Sequence, residues 1–194
     1  MNAALNLSIS PDTMYFLLAG VLASASHSSK GWNSVLSLVP EPLPYVTQSH
    51  LQEHTYAYLQ LLALLPLDVM PFVTPLTCRE TVRRDTRNSF GIRSLDDGGD
   101  EFFGWAVWPD ASYFNHGCAP NVAKKRQGRE WRFWTARDVK QGEELLISYL
   151  GGEEATLTVG ERRASLEPVW GFRCICVRCM EEESLSIMDV DGQG

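Results

Sequence analysis

GFRCICVRCMEE (residues 171–182) packs Cys174, Cys176 and Cys179 into six positions, out of five cysteines in a chain of 194 residues. The C-x-C-x2-C spacing lets thiolates from one tight loop converge on one ion, and a structural zinc site requires four such ligands in a tetrahedron. Two cysteines remain for the fourth place. Cys118 sits in NHGCAPN (115–121), where Gly117 and Pro120 bracket a turn, whereas Cys78 lies inside a helical pattern with no turn chemistry around it. The expected set is therefore Cys118, Cys174, Cys176 and Cys179, with His116 a rival for the fourth place and Cys78 a buried thiol. A disulfide framework is the competing reading. The odd cysteine count and the lack of a recognisable secretion signal speak against it.

Working outward, the chain has the length of one ordinary domain, and 44% hydrophobic residues suffice for a core. The net charge of −7 opposes attraction to phosphate, so direct nucleic-acid binding is not expected. Basic residues do gather at Arg79, Arg83, Arg84 and Arg87, and again in KKRQGREWR (124–132). The second group alternates with aromatics, which reads as the solvated face of a sheet. MYFLLAGVLASASHSS looks like a signal-peptide core, but the residues before it hold Asp12 and no Lys or Arg. YLQLLALLPLDVM is broken by Pro66 and charged at Asp68, too short for a membrane span. A soluble protein is expected.

SPDT (10–13) offers an N-cap serine, a proline at the first helical position and an acid in the first turn, predicting a helix from Pro11 to about Ser26. Ser49 with Gln52 three residues on has the form of a capping box for a second helix that Pro66 stops. Thr74-Pro75 can start a third, carrying Arg79, Arg83, Arg84 and Arg87. The period then changes. SFGIRSL and EFFGWAVW flank the turn DDGGD, NVAKKRQ and EWRFWTA flank Gly128 as a second hairpin, and ELLISYL reads as a short buried strand. LTVGERRASLEPVW reads as a last helix ending near Pro168, with EEESLSIMDVDGQG a disordered tail. Helices first and short strands after indicate α+β.

NHGCAPN, then GEELLISY, then C-x-C-x2-C, in that order, resembles the C-terminal half of a SET domain with its post-SET cysteines. With NSF (88–90) upstream and ERR…WGFRCIC downstream, the chain looks like the SET-and-MYND subfamily of protein lysine methyltransferases, from about Asn88 to Met180. The resemblance implies a helical insertion over 1–87, the SET core over 88–150, the post-SET helix and zinc loop over 151–182, and a flexible tail over 183–194. It implies an incomplete SET domain with a small, mostly antiparallel sheet. It further implies that Asn88, Asn115 and His116 contact S-adenosylmethionine, that Phe172 packs on the adenine, and that Tyr149 is the active-site tyrosine. Phe90, Trp108 and Trp170 are candidates for the walls of a lysine channel. In the family, the three post-SET cysteines and the cysteine of the Asn-His motif hold one structural zinc, here Cys118, Cys174, Cys176 and Cys179.

The function so implied is transfer of a methyl group from S-adenosylmethionine to a protein lysine, with one zinc and a protein substrate as partners. Methyl transfer to an amine is an in-line displacement in which positioning dominates the rate. A narrow aromatic channel excludes water, lowers the lysine pKa and favours cationic products. Thiolate ligands require a reducing compartment, so cytosol or nucleus is expected.

The chain also departs from the family. Gly117 stands where serine is frequent, Ser148 stands where an acid is frequent, and no G-x-G strand segment or MYND finger occurs. Met1 is therefore expected to open inside a longer protein, leaving sheet edges and half a cofactor pocket uncovered. The alternative function is a non-catalytic, zinc-stabilised interaction module.

Overall fold

A computed structural model of the chain describes residues 11–25, 29–40, 48–85, 87–94, 101–128 and 130–191. The chain divides into two units, Met1–Ser94 with Asp100–Tyr113 and Leu95–Gly99 with Phe114–Gly194. In the first, four helices, α1 (Pro11–Ala25), α2 (Ser29–Leu36), α3 (Gln48–Leu64) and α4 (Pro75–Val82), precede a hairpin of β1 (Ser89–Arg93) and β2 (Phe102–Val107). Leu17, Val21, Ala57, Leu61, Val73 and Cys78 form its buried core. The Thr74-Pro75 start is present as expected: Thr74 caps α4 by accepting the Thr77 N–H at 3.0 Å, with proline in the first turn. α3 begins at Gln48, one residue before the serine expected to cap it. Ser10 and the DDGGD turn lie outside the described residues.

The basic cluster on this unit is structural. α4 stops at Val82, earlier than expected, because Arg83 caps its end and Arg84 turns away to serve another helix. Arg84 donates to the carbonyls of Leu36 and Leu38 at 2.8 and 3.2 Å, satisfying the C-terminal end of α2. Its Nη1 pairs with Glu80 at 2.6 Å, and Arg79 and Arg83 converge on the same carboxylate.

α1 and α4 approach closely at Gly20. A Cβ built there would stand 2.6 Å from Thr81 Oγ1 and 2.7 Å from Thr81 Cγ2, and Thr81 is buried with its hydroxyl on the Thr77 carbonyl. On helix propensity alone Gly20→Ala would stabilise by about 0.5–1 kcal/mol. Overpacking at a buried contact costs about 1–3 kcal/mol. The expected outcome is net loss, seen as a lower urea midpoint with unchanged slope; a raised midpoint would refute the close packing.

Among the described residues, the second unit carries two short strand pairings and two α-helices. β4 (Val122–Gln127) and β5 (Glu130–Thr135) form an antiparallel hairpin. β3 (Asn115–His116) and β6 (Leu146–Ile147) pair in parallel, Asn115 with Leu146 and His116 with Ile147. The expected mostly antiparallel sheet is thus, among the described residues, two antiparallel hairpins and one parallel pair. Just after β3, a Cβ added at Gly117 would lie 2.9 Å from Leu146 Cδ1, so a serine here would press on β6.

α5 (Val159–Trp170) opens with a reciprocal capping box between Thr158 and Glu161. It runs through Pro168, two residues past the expected stop, and is ended instead by Gly171 in the left-handed region at φ 71°. α6 (Val177–Asp191) is helical through residue 191 of the tail expected to be disordered, and residues 192–194 lie outside the described residues. Its acidic residues do not repel one another into an open chain because Glu182 pairs with Arg162 and Arg178, and Glu183 with Arg163 and Arg173. No helix among the described residues is long and apolar enough to cross a membrane.

Candidate functional site

The turn after β3 delivers Cys118, and the chain reversal at Gly171 delivers the other three cysteines. Cys174 and Cys176 lie between α5 and α6, and Cys179 lies in the first turn of α6. The four sulfurs fall within 4.8 Å of one another. Cys118 Sγ is 3.8 Å from Cys174 Sγ and 3.6 Å from Cys179 Sγ. A disulfide needs about 2.05 Å. A tetrahedron with zinc–sulfur bonds of about 2.3 Å has its sulfurs about 3.8 Å apart. The spacing therefore fits a four-thiolate zinc site. Cys78 is packed in the core of the first unit, where burial pushes its thiol up to about 11.

Electrostatics agree with that fit. Burial, then the neighbouring Cys179, holds the Cys118 thiol far above its ordinary value, and burial pushes Cys174 up to about 11. Burial also raises Cys176, but backbone N–H groups of Cys179 and Cys118 outweigh it and bring that thiol down to about 7. Four thiolates cannot share one small buried space without a cation, and a divalent metal is the charge that lets them all ionise.

Around the sulfurs stands an arginine set that the sequence reading did not assign. Arg162 is 0% exposed, with Nη2 3.5 Å from Cys179 Sγ and 2.7 Å from Glu182 Oε2. Arg163 Nε donates to the Cys174 carbonyl at 3.0 Å, and Arg178 Nη1 donates to the Cys118 and Glu154 carbonyls at 3.1 and 2.8 Å. These cations offset the negative charge of a tetrathiolate site and tie α6 to it. The available signal was the Thr158–Glu161 box, which fixes the register of α5 and so the inward direction of Arg162.

Beside the cysteine cluster lies a group of polar and aromatic residues. Asn115 Nδ2 donates to Glu144 Oε1 at 2.7 Å. His116, 8% exposed, accepts the Tyr149 N–H on Nδ1 at 3.1 Å and has Nε2 3.3 Å from Cys118 Sγ. Burial pulls the imidazole down to about 4, with Glu154 opposing and Lys124 and Arg162 adding to the fall. The Tyr149 hydroxyl donates to the Phe114 carbonyl at 2.8 Å, and burial, then Glu144, raises its phenol. Its ring lies 5.1 Å from Trp170, 5.3 Å from His116 and 6.4 Å edge-on from Phe172. Ser148, where an acid is frequent, donates to the buried Glu154 carboxylate at 2.7 Å, so a carboxylate reaches the position from six residues along the chain.

The structure thus gathers Asn115, His116, Tyr149, Trp170, Phe172 and the four cysteines in the second unit. Asn88, Phe90 and Trp108 belong to the first. Asn88 Nδ2 donates to the Val39 and Arg84 carbonyls, each at 3.0 Å, and Phe90 packs edge-on against Trp108 at 5.9 Å.

Comparison with known proteins places the chain. The SET domain family model matches residues 20–150. A potential protein lysine methyltransferase, SET6 of Saccharomyces cerevisiae, is 37% identical over 121 residues, covering 61% of this chain and 32% of that protein. A SET and MYND domain-containing protein of Dictyostelium discoideum is 35% identical over 112 residues, 57% of this chain and 28% of that protein. The mouse histone-lysine N-methyltransferase SMYD3 is 34% identical over 80 residues, 41% of this chain and 18% of that protein. The chain spans about a third or less of the length of these curated relatives. With its family match running over residues 20–150 and protein lysine methyltransferases among its relatives, this chain belongs to the SET domain family.

Proposed function

We propose that this chain serves S-adenosylmethionine-dependent methylation of a protein lysine, with one structural zinc held by Cys118, Cys174, Cys176 and Cys179. The observation that carries the reading is the juxtaposition of Tyr149, Trp170 and Phe172 beside the Asn115-His116 pair, braced by a four-sulfur cluster. When bound, S-adenosylmethionine supplies an electrophilic methyl on a sulfonium.

The residues of the chain supply position. Phe172, two residues after the end of α5 and two before Cys174, packs against the cysteine cluster and is positioned as an apolar cover for an adenine. Asn115 presents an amide oriented by Glu144. Both ring nitrogens of His116 are engaged within the protein, so its contribution to cofactor binding is assigned to its main chain. Tyr149 and Trp170 form an aromatic wall that excludes water and favours the neutral lysine amine as nucleophile. Asn115 and Phe172 would hold the cofactor, and the wall of Tyr149 and Trp170 would hold the neutral lysine Nζ in line with the methyl it supplies, the proton released on transfer passing to solvent. The metal site contributes rigidity, because four thiolates leave no open coordination position. Thiolate chemistry points to cytosol or nucleus.

Isothermal titration tests the reading. S-adenosylmethionine and S-adenosylhomocysteine should both give binding heat to the zinc-loaded chain, and Phe172→Ala should weaken each by about tenfold, or ~1.4 kcal/mol. No heat at millimolar ligand would overturn the enzymatic reading in favour of a non-catalytic module.

A further inference from the structure

The proposed function leaves the side chain of His116 without a task, although it is buried and both of its nitrogens are bonded. β3 is only two residues long. Its backbone pairing with β6 extends one step further, through Gly117 N–H to the Ile147 carbonyl at 3.0 Å. The N–H of Tyr149, two residues beyond Ile147, goes instead to His116 Nδ1 at 3.1 Å. The tautomer follows from that bond. A backbone N–H can only donate, so Nδ1 is the bare nitrogen, and in a neutral ring the proton sits on Nε2. Nε2 is 3.3 Å from Cys118 Sγ, and hence donates to the sulfur.

The ring therefore has a metal-ligand sulfur at one end and the backbone of the proposed active-site tyrosine at the other. A thiol sulfur is a weak acceptor, whereas a thiolate, the form in which cysteine ligates metal, makes a charge-assisted bond about twice as strong. Four sulfurs already complete a tetrahedral set, so His116 is not needed as a ligand. Phe172, 6.2 Å from the imidazole, closes the ring on another side and limits its alternatives.

We propose that His116 is a positioning residue that couples the four-cysteine site to Tyr149: its Nε2–H donates to the Cys118 thiolate, its Nδ1 receives the Tyr149 N–H, and loading of the metal site thereby sets where Tyr149 stands. The inference rests on the zinc and methyltransferase readings, but its primary readouts do not require turnover. Glutamine carries a donor and an acceptor at about the separation of the two imidazole nitrogens; phenylalanine keeps the volume and removes both.

The test uses the full chain loaded with zinc, and with Co2+ for spectroscopy. In the wild type, 15N resonances of His116 should show the Nε2–H tautomer, and the Tyr149 amide should exchange slowly and speed up at least tenfold when a chelator strips the metal. In the Co2+ form, His116→Phe should shift the sulfur-to-cobalt charge-transfer band and deprotect the Tyr149 amide, with His116→Gln restoring both. If turnover is present, kcat should fall at least tenfold in His116→Phe while the Kd for S-adenosylhomocysteine stays within about threefold. An Nδ1–H tautomer, or a Tyr149 amide indifferent to metal, would overturn the inference even if His116→Phe failed to fold. A chain that takes up no Co2+ would overturn it together with the zinc reading. Cobalt uptake with an unmoved band would overturn it alone.

Discussion

Replacing Cys118 by serine should, under the proposed zinc reading, lower zinc affinity by at least about 100-fold and destabilise the second unit, so that the purified variant carries well under one zinc per chain. Loss of a supporting hydrogen-bond partner at a metal site typically costs about 10–100-fold in affinity, and loss of a ligand should cost no less. Apparent zinc binding to structural thiolate sites is worth about 10–16 kcal/mol, as much as the whole stability of a typical domain at about 5–15 kcal/mol, so the second unit is expected to depend on the metal. The neighbourhood amplifies the loss. Arg162 is buried with Nη2 against Cys179 Sγ, and Arg163 and Arg178 hold the carbonyls of Cys174 and Cys118. Without a charged cluster these guanidinium groups keep their burial cost and lose part of what offsets it. Cys78→Ser is the control. Cys78 sits in the apolar core of the first unit, so the hydroxyl should cost about 1–2 kcal/mol without removing zinc. Metal analysis together with thermal unfolding separates the two variants. Equal zinc content in Cys118→Ser and wild type would refute the ligand assignment.

What could be read from the sequence was governed by local chemistry. C-x-C-x2-C announces a metal loop because three sulfurs lie within six residues, and Thr74-Pro75 announces a helix because cap and first turn are contiguous. The hairpin of β4 and β5 is equally local, with Gln127 facing Glu130. The parallel pairing of Asn115 with Leu146 joins residues 31 positions apart through two residues on each strand, too short for any period to show. α6, where the sequence predicts a disordered tail, depends on contacts of the same long-range kind: Glu182 and Glu183 pair with arginines from α5 and the cysteine loop, partners that only the fold supplies. The same holds for Arg84, which sits in a basic run but caps α2, 46 residues earlier along the chain at Leu38. Family resemblance named Asn115, His116 and Tyr149 without saying what their side chains do; the bonds to Glu144, Cys118 and Phe114 came from the structure.

Under the proposed function, Tyr149→Phe should reduce methyl transfer at least about 100-fold while zinc content and S-adenosylhomocysteine binding stay near wild type. The substitution removes one oxygen and keeps the ring, so the packing at 5.1 Å from Trp170 and 5.3 Å from His116 persists. Its structural cost is the hydroxyl's bond to the Phe114 carbonyl at 2.8 Å, worth about 1 kcal/mol. A 100-fold loss in rate corresponds to about 2.7 kcal/mol of transition-state stabilisation, well beyond that structural cost. Burial and Glu144 raise the phenol above its ordinary value, so Tyr149 is neutral at and above physiological pH and acts as a hydrogen-bonding group. It is not a thermally accessible base in that range. The pH–rate profile of the wild type should accordingly rise as the substrate amine loses its proton, with no falling limb from Tyr149 between pH 7 and about pH 9. Radiolabelled methyl incorporation into a mixture of candidate protein substrates, metal analysis and isothermal titration with S-adenosylhomocysteine read the three quantities. A kcat within about threefold of wild type in Tyr149→Phe would remove Tyr149 from the reaction, and an equal loss of cofactor affinity would instead make it a binding residue.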